Sequence, residues 1–147
     1  MKRIVLIIIA LCMMVVSHTV FASYPKYLGE NKNYIICAGH HGIGYYIDRS
    51  SLDVEKYNPP HYIIAVKVAI VEDADKGKTQ IQSFQNYRFY YNWNDKTMWY
   101  GLGKDWTYIS REGTWAEIGV PLPTGELAFS LAYNMKFYGL YDELYAR

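Results

Sequence analysis

The amino-acid sequence predicts an α+β fold: an antiparallel sheet of five or six strands with one C-terminal amphipathic helix packed on it. Two observations carry the sheet, namely alternating β-branched and aromatic runs between residues 33 and 110, and turn residues that separate these runs at short intervals. A third carries the helix, because only the stretch after Pro121 repeats its apolar residues at helical spacing.

The first element stands outside that domain. Met1-Lys2-Arg3 precedes an apolar run over 4–16, the pattern of a secretory signal peptide, and Val20 and Ala22 suit the positions a signal peptidase reads. Cleavage is expected after Ala22, leaving 23–147 as a single domain that is exported to the periplasm, the cell surface or the medium. A membrane-spanning helix needs about 20 apolar residues, and this run is shorter and broken by Ser17-His18. No transmembrane segment is therefore expected after cleavage. Leu11 in front of Cys12 disfavours lipid attachment there, since a lipoprotein signal has a small residue at that position.

The mature chain opens with an irregular lead-in over 23–32, which contains Pro25 and Gly29. Strands are expected over 33–37 and 43–48, joined as a hairpin through Gly39-His40-His41-Gly42. Asp48-Arg49-Ser50-Ser51 interrupts the second with side chains that hydrogen-bond to nearby backbone, the mark of a turn or bulge. After Tyr57-Asn58-Pro59-Pro60 comes the strand 61–71, in which Ile64, Val66, Val68 and Ile70 share an apolar face and Ile63, Ala65, Lys67 and Ala69 a mixed one. A charged loop over 72–78 leads to the long strand 80–93, then to shorter ones at 97–102 and 106–110. The helix is expected over 124–138, with Thr124 as N-cap, Glu126 in the first turn, Leu127, Leu131, Met135 and Tyr138 on the apolar stripe, and Gly139 as C-terminal cap.

Composition excludes several functions. The 15 basic and 14 acidic residues lose Lys2 and Arg3 on cleavage, which leaves a net charge near −1 and no basic field for nucleic acid. There is no glycine-rich phosphate loop, nucleophile elbow or H-E-x-x-H motif, so no catalytic set, cofactor or metal site is predicted. One alternative uses Cys37, His40 and His41, a soft-metal or nucleophile pairing that would suit a small envelope hydrolase or metal-binding protein. Cys37 is the only cysteine of the mature chain, so it is a small buried side chain or the bridge of a homodimer.

Aromatic content is the outlier, with 16 Tyr, 4 Trp and 5 Phe. Cross-strand ring pairs explain many of them. Rings left on a solvent face would form a patch for a protein or glycan partner, since Trp and Tyr dominate binding hot spots. Tyr90, Trp93, Trp99 and Trp106 are the candidates.

The segment Tyr45-Tyr46-Ile47-Asp48-Arg49-Ser50-Ser51-Leu52 resembles a motif of the bacterial surface-adhesin protein E family. Pro59-Pro60, an apolar strand over 62–71, Tyr87-Arg88-Phe89, Met98-Trp99-Tyr100 and Asp105-Trp106 follow in that family's order. The resemblance covers roughly residues 33–110. It implies an antiparallel sheet with a C-terminal helix and a noncatalytic envelope protein, some relatives of which bind host matrix or serum proteins. It carries over no lipid anchor and no ligand-contacting residue.

Overall fold

The structure, a computed structural model, describes residues 23–140. The expected signal peptide and the tail 141–147 lie outside the described residues. Strands β1 (Tyr27–Leu28), β2 (Asn31–His40), β3 (Ile43–Asn58), β4 (His61–Val71), β5 (Ile81–Asn92), β6 (Thr97–Gly101) and β7 (Thr107–Ile109) form one sheet in chain order, antiparallel throughout. Helices α1 (Trp115–Ile118) and α2 (Pro121–Tyr133) follow. The sheet thus has seven strands rather than the expected five or six. The additional one is β1, two residues inside the lead-in, whose composition gives no strand signal.

Local chemistry sets each connection. The β2–β3 hairpin turns through His41 and Gly42, at φ 49° and 83°, two positive values that match the right-handed twist of the flanking strands. Gly39, beside it, lies against the Tyr24 ring, where a Cβ would meet Tyr24 carbons at 2.4 Å. The Tyr24 hydroxyl accepts the Gly42 N–H at 2.9 Å. Between β4 and β5 a 3-10 turn, Ala74–Lys76, tucks the buried Ala74 under this hairpin, and the Ala74 N–H donates to Gly42 O at 2.9 Å.

The Asp48 motif is a bulge within β3 rather than the end of the strand. Asp48 pairs with Lys67, but the next pairing is Asp53 with Ala65, so four residues of β3 loop out of register. Asp48 Oδ1 accepts the Ser50 N–H at 3.0 Å, an Asx turn. Ser51 Oγ donates to Asp48 O at 2.6 Å and accepts the Lys67 N–H at 2.8 Å, which ties the bulge to β4.

The main core lies between one sheet face and α2. Ile35, Cys37 and Ile47, then Ile64, Val66 and Val68, then Tyr87, Phe89, Tyr91 and Met98 point toward the helix, which answers with Leu122, Leu127, Ala128 and Phe129. The helix contacts β2, β3, β4 and β6, so the sheet wraps around it. Gly125 permits the close approach: a Cβ there would meet Met98 Sδ at 2.3 Å and Phe89 at 3.0 Å. Leu28, Ile36, Tyr46, Ala69, Val71 and Ala74 form a smaller cluster elsewhere.

The C-terminal helix departs from expectation in three ways. It starts at Pro121, whose missing N–H costs nothing in the first turn, and Thr124 sits inside it with its hydroxyl bonded to Val120 O at 2.7 Å. It ends at Tyr133 with Asn134 in the left-handed cap at φ 52°, so Met135 is exposed and Phe137 fills the core instead. It is also buried on every side from Leu122 to Phe129, a core helix rather than an amphipathic one. Glu126 is part of that burial. Its carboxylate accepts the N–H groups of Tyr138, Gly139 and Leu140 at 2.8, 3.0 and 3.2 Å, fastening the segment that follows the helix.

Candidate functional site

The face of the sheet opposite α2 carries its own row of side chains, dictated by the period of two. On β5, Tyr87, Phe89 and Tyr91 point to the helix, so Asn86, Arg88, Tyr90 and Asn92 point the other way. The register then sets Gly101 beside Arg88 and Trp99 beside Tyr90, with Tyr108 beyond Trp99. On the β4 side, Ala65 lies beside Arg88 and Lys67 beside Asn86.

Three of the four predicted aromatics come together here. Tyr90 lies 5.1 Å from Trp99 and 6.0 Å from Trp106, and Trp99 meets Tyr108 edge-on at 5.8 Å. Trp106 precedes β7 rather than belonging to it, and its ring folds over Gly101, where a Cβ would meet Asp105 O at 2.9 Å and the Trp106 ring at 3.4 Å. A glycine is therefore what lets this indole lie on the sheet. Trp106 and Tyr108 remain 39% and 54% exposed, too much for core residues. Tyr90 is anchored by its hydroxyl, which lies 2.7 Å from His61 Nδ1.

Trp93, the fourth candidate, belongs to the other side. It stacks on Phe129 at 5.6 Å, lies edge-on to Phe137 at 5.7 Å, and carries the Lys96 ammonium 2.9 Å above its ring centre. Its role is to close the helix end of the core. Sequence alternation could have separated it, because Trp93 lies an even number of residues from Tyr91 and Phe89, on the helix-facing register.

Arg88 joins the aromatic group to a polar groove. Its guanidinium lies 5.4 Å over Trp106, and its Nε meets Glu55 Oε1 and Oε2 at 3.0 and 2.9 Å while Nη2 also contacts Oε2. The pair is a fork that fixes both side chains, and the carboxylate holds the Arg88 pKa above its usual value. Beyond it, Ser51, Glu55, Ala65, Val66, Lys67, Asn86, Tyr87 and Arg88 line an open groove of about 260 Å³, which exists because β3 bulges away from β4 at this point. The pattern that could have found it is the Asp48–Ser51 break, read as a turn but not as the wall of a depression.

Cys37 and the two histidines do not assemble a site. Cys37 is fully buried in the main core, with Sγ donating to Tyr45 O at 3.2 Å and Thr124 Oγ1 3.3 Å away. Burial pushes its pKa up to about 12, so the nucleophilic and metal-binding thiolate is suppressed. A disulfide to a second copy is out of reach for the same reason. His40 instead stacks between His41, at 3.9 Å, and Trp115 of α1, at 4.5 Å, which ties the hairpin tip to the helical segment. Helix α1 is held by Glu117, whose Oε2 accepts the Thr114 N–H at 2.6 Å and its hydroxyl at 3.1 Å. Among the described residues no group of three or more His, Cys, Asp or Glu could hold a metal ion, and no helix is long and apolar enough to cross a membrane.

No family model matches the sequence, and no curated protein or solved structure does either.

Proposed function

We propose that this chain is an exported, nonenzymatic binding module, adhesin-like in the broad sense, whose binding surface is the open face of the sheet. The observation that carries this reading is the aromatic group of Tyr90, Trp99, Trp106 and Tyr108 on the face away from α2, in which Trp106 and Tyr108 are exposed and lie against the half-buried Tyr90 and Trp99. Large rings held in a cluster by one another and by Arg88 lose little side-chain freedom on binding, which is why Trp, Tyr and Arg concentrate at hot spots. The leader-like segment 1–22 supports export, and the resemblance of the Asp48–Ser51 and Tyr87–Phe89 motifs to the surface-adhesin protein E family supports an envelope role. The partner is a protein or glycan of the envelope or of the cell exterior. The buried thiol removes the observation that favoured a hydrolase or metal protein at Cys37, His40 and His41.

The test is binding of the purified protein to matrix proteins, serum proteins and envelope glycans, with W99A/W106A as the comparison. Saturable binding lost in the double variant is the expected result. Binding that survives the double variant, or turnover of a substrate by the unmodified chain, overturns the reading.

A further inference from the structure

We infer that the outer edge of β3 over residues 52–57 is the pairing edge of a homodimer: a second copy of this chain adds its own β3 antiparallel to it, about a two-fold axis normal to the sheet. This edge is distinct from the open face and from the aromatic group on it.

The free edge follows from the topology. Strand β2 pairs with β3 only as far as Asp48, whereas β4 pairs with it as far as Asn58, so the second half of β3 has a neighbouring strand on one side alone. Every residue over 53–58 is exposed, including Val54 at 38% and Tyr57 at 68%. A row of unpaired N–H and C=O groups along such a stretch is a template for a further strand. At the two ends of the sheet, β1 and β7 have two and three residues, which leaves them little edge to offer.

The side chains select the occupant. Register with β4 sets Asp53 beside Ala65 and Lys56 beside Ile63 on the open face, and Tyr57 beside Tyr62 on the helix side, where Leu52 also packs. Among the described residues neither Asp53 nor Lys56 belongs to an ion pair, and Lys67, two residues from Ala65, holds its ammonium 5.7 Å over the Phe84 ring. A two-fold normal to the sheet keeps each face on its own side, so residues across the seam must share a face. An axis at Asp53 would oppose two carboxylates and one at Lys56 two ammonium groups, both destabilising. An axis midway sets Asp53 of each copy against Lys56 of the other, two opposite-charge pairs, and Tyr57 of each against Leu52 of the other.

The irregularity between Val54 and Lys56 falls on this axis. A bulge defeats pairing with a regular strand, but both copies carry the same extra residue at the same place, so the count from Asp53 to Lys56 is equal on the two sides of the seam. Glu55 is held by Arg88 of its own sheet, so its carboxylate does not compete for Lys56. Because the faces are kept, the dimer points both aromatic groups the same way, and a ligand with repeated epitopes meets a bivalent surface.

One strand from each copy makes a small seam, so a dissociation constant of about 1–100 µM is expected. The experiment is sedimentation equilibrium of the purified protein from about 1 µM to 1 mM, with D53K, K56D, D53K/K56D and W99A/W106A beside it. The unmodified chain should pass from monomer to dimer. Each single reversal puts like charges across the seam and should weaken association about tenfold or more. The double variant exchanges the charges and should restore it, which separates a lost pair from a damaged fold. W99A/W106A should associate like the unmodified chain. A monomer throughout the range, a dimer indifferent to both reversals, no recovery in D53K/K56D, or loss of the dimer in W99A/W106A overturns the inference.

Discussion

The two faces of this sheet are built from the same strands and much the same residues, yet they do opposite work. Along β5, Tyr87, Phe89 and Tyr91 are buried against α2, while one residue over, Arg88 and Tyr90 stand half-buried on the other face, beneath the partly exposed Trp106 ring rather than beneath a helix. On the covered face rings are surrounded: Tyr91 meets Phe129 at 4.9 Å and Phe137 at 5.2 Å, and its hydroxyl donates to Gly125 O at 2.7 Å. On the open face they touch one another side by side and keep their outer surfaces in water. An aromatic residue is therefore neither a core signal nor a binding signal by type. The strand period assigns it to a face, and the presence or absence of a covering element assigns it a role.

The comparison breaks most sharply at Cys37. If the covered face is sealed, alkylation of Cys37 proceeds only through opening of the core, and labelling in native buffer should be about 10³-fold or more slower than in denaturant, as the usual folding equilibria imply. A thiol that reacts at comparable rates in both conditions, followed by mass spectrometry, would mean that the helix does not cover this face.

A smaller but still large difference is expected between ring deletions. Phe129→Ala removes a side chain that packs on Tyr62, Tyr91, Trp93 and Phe137, and should cost about 3–5 kcal/mol in urea unfolding. Trp106→Ala should cost less, about 1 kcal/mol, because the ring is itself 39% exposed and covers only Gly101 and the half-buried Tyr90 and Arg88. Equal losses would show that the open-face rings serve the fold after all. Between these, Gly125→Ala should cost about 1–3 kcal/mol by pushing α2 off Met98 and Phe89.

The smallest effect concerns pH. Burial is the main influence on Glu126 and raises its pKa above the ordinary 4.5, against the lowering effect of its three backbone N–H partners. A carboxyl whose folded pKa is raised favours the fold in its protonated form. Its contribution is complete below 4.5 and is lost as pH climbs through the raised value, so stability should fall modestly as pH moves up from 4.5. Glu126→Gln should remove that slope, measured as denaturant midpoints across the range. An unchanged slope in the variant would assign it to another group.

Much of this was legible in the chain. The break at Asp48–Ser51, the turn at His41-Gly42, and the alternation in β4 each follow from local chemistry that acts within a few residues. Tyr90 and Trp99 were identifiable as a pair because consecutive antiparallel strands must bring alternate residues together, whereas Trp106 joins them from outside β7 by folding over Gly101. What escaped depended on partners distant in sequence. Glu126, expected to meet the dipole of a first helical turn, instead binds amides 12 to 14 residues later. Strand β1 exists through its pairing with β2, not through its own two residues.

By itself, then, the sequence determined the antiparallel meander, its turns and the face on which each strand residue lies, because hydrogen-bonding turns and a period of two are local properties of the backbone. Only the tertiary structure decided which face is covered. Placing α2 on the Cys37 side turns one set of rings into core and seals the thiol, and the same act leaves Trp106 and Lys67 exposed and Tyr90 and Trp99 only half-buried. That choice is a matter of close approach at Gly125 and of burial summed over the whole sheet, which no window of neighbouring residues contains.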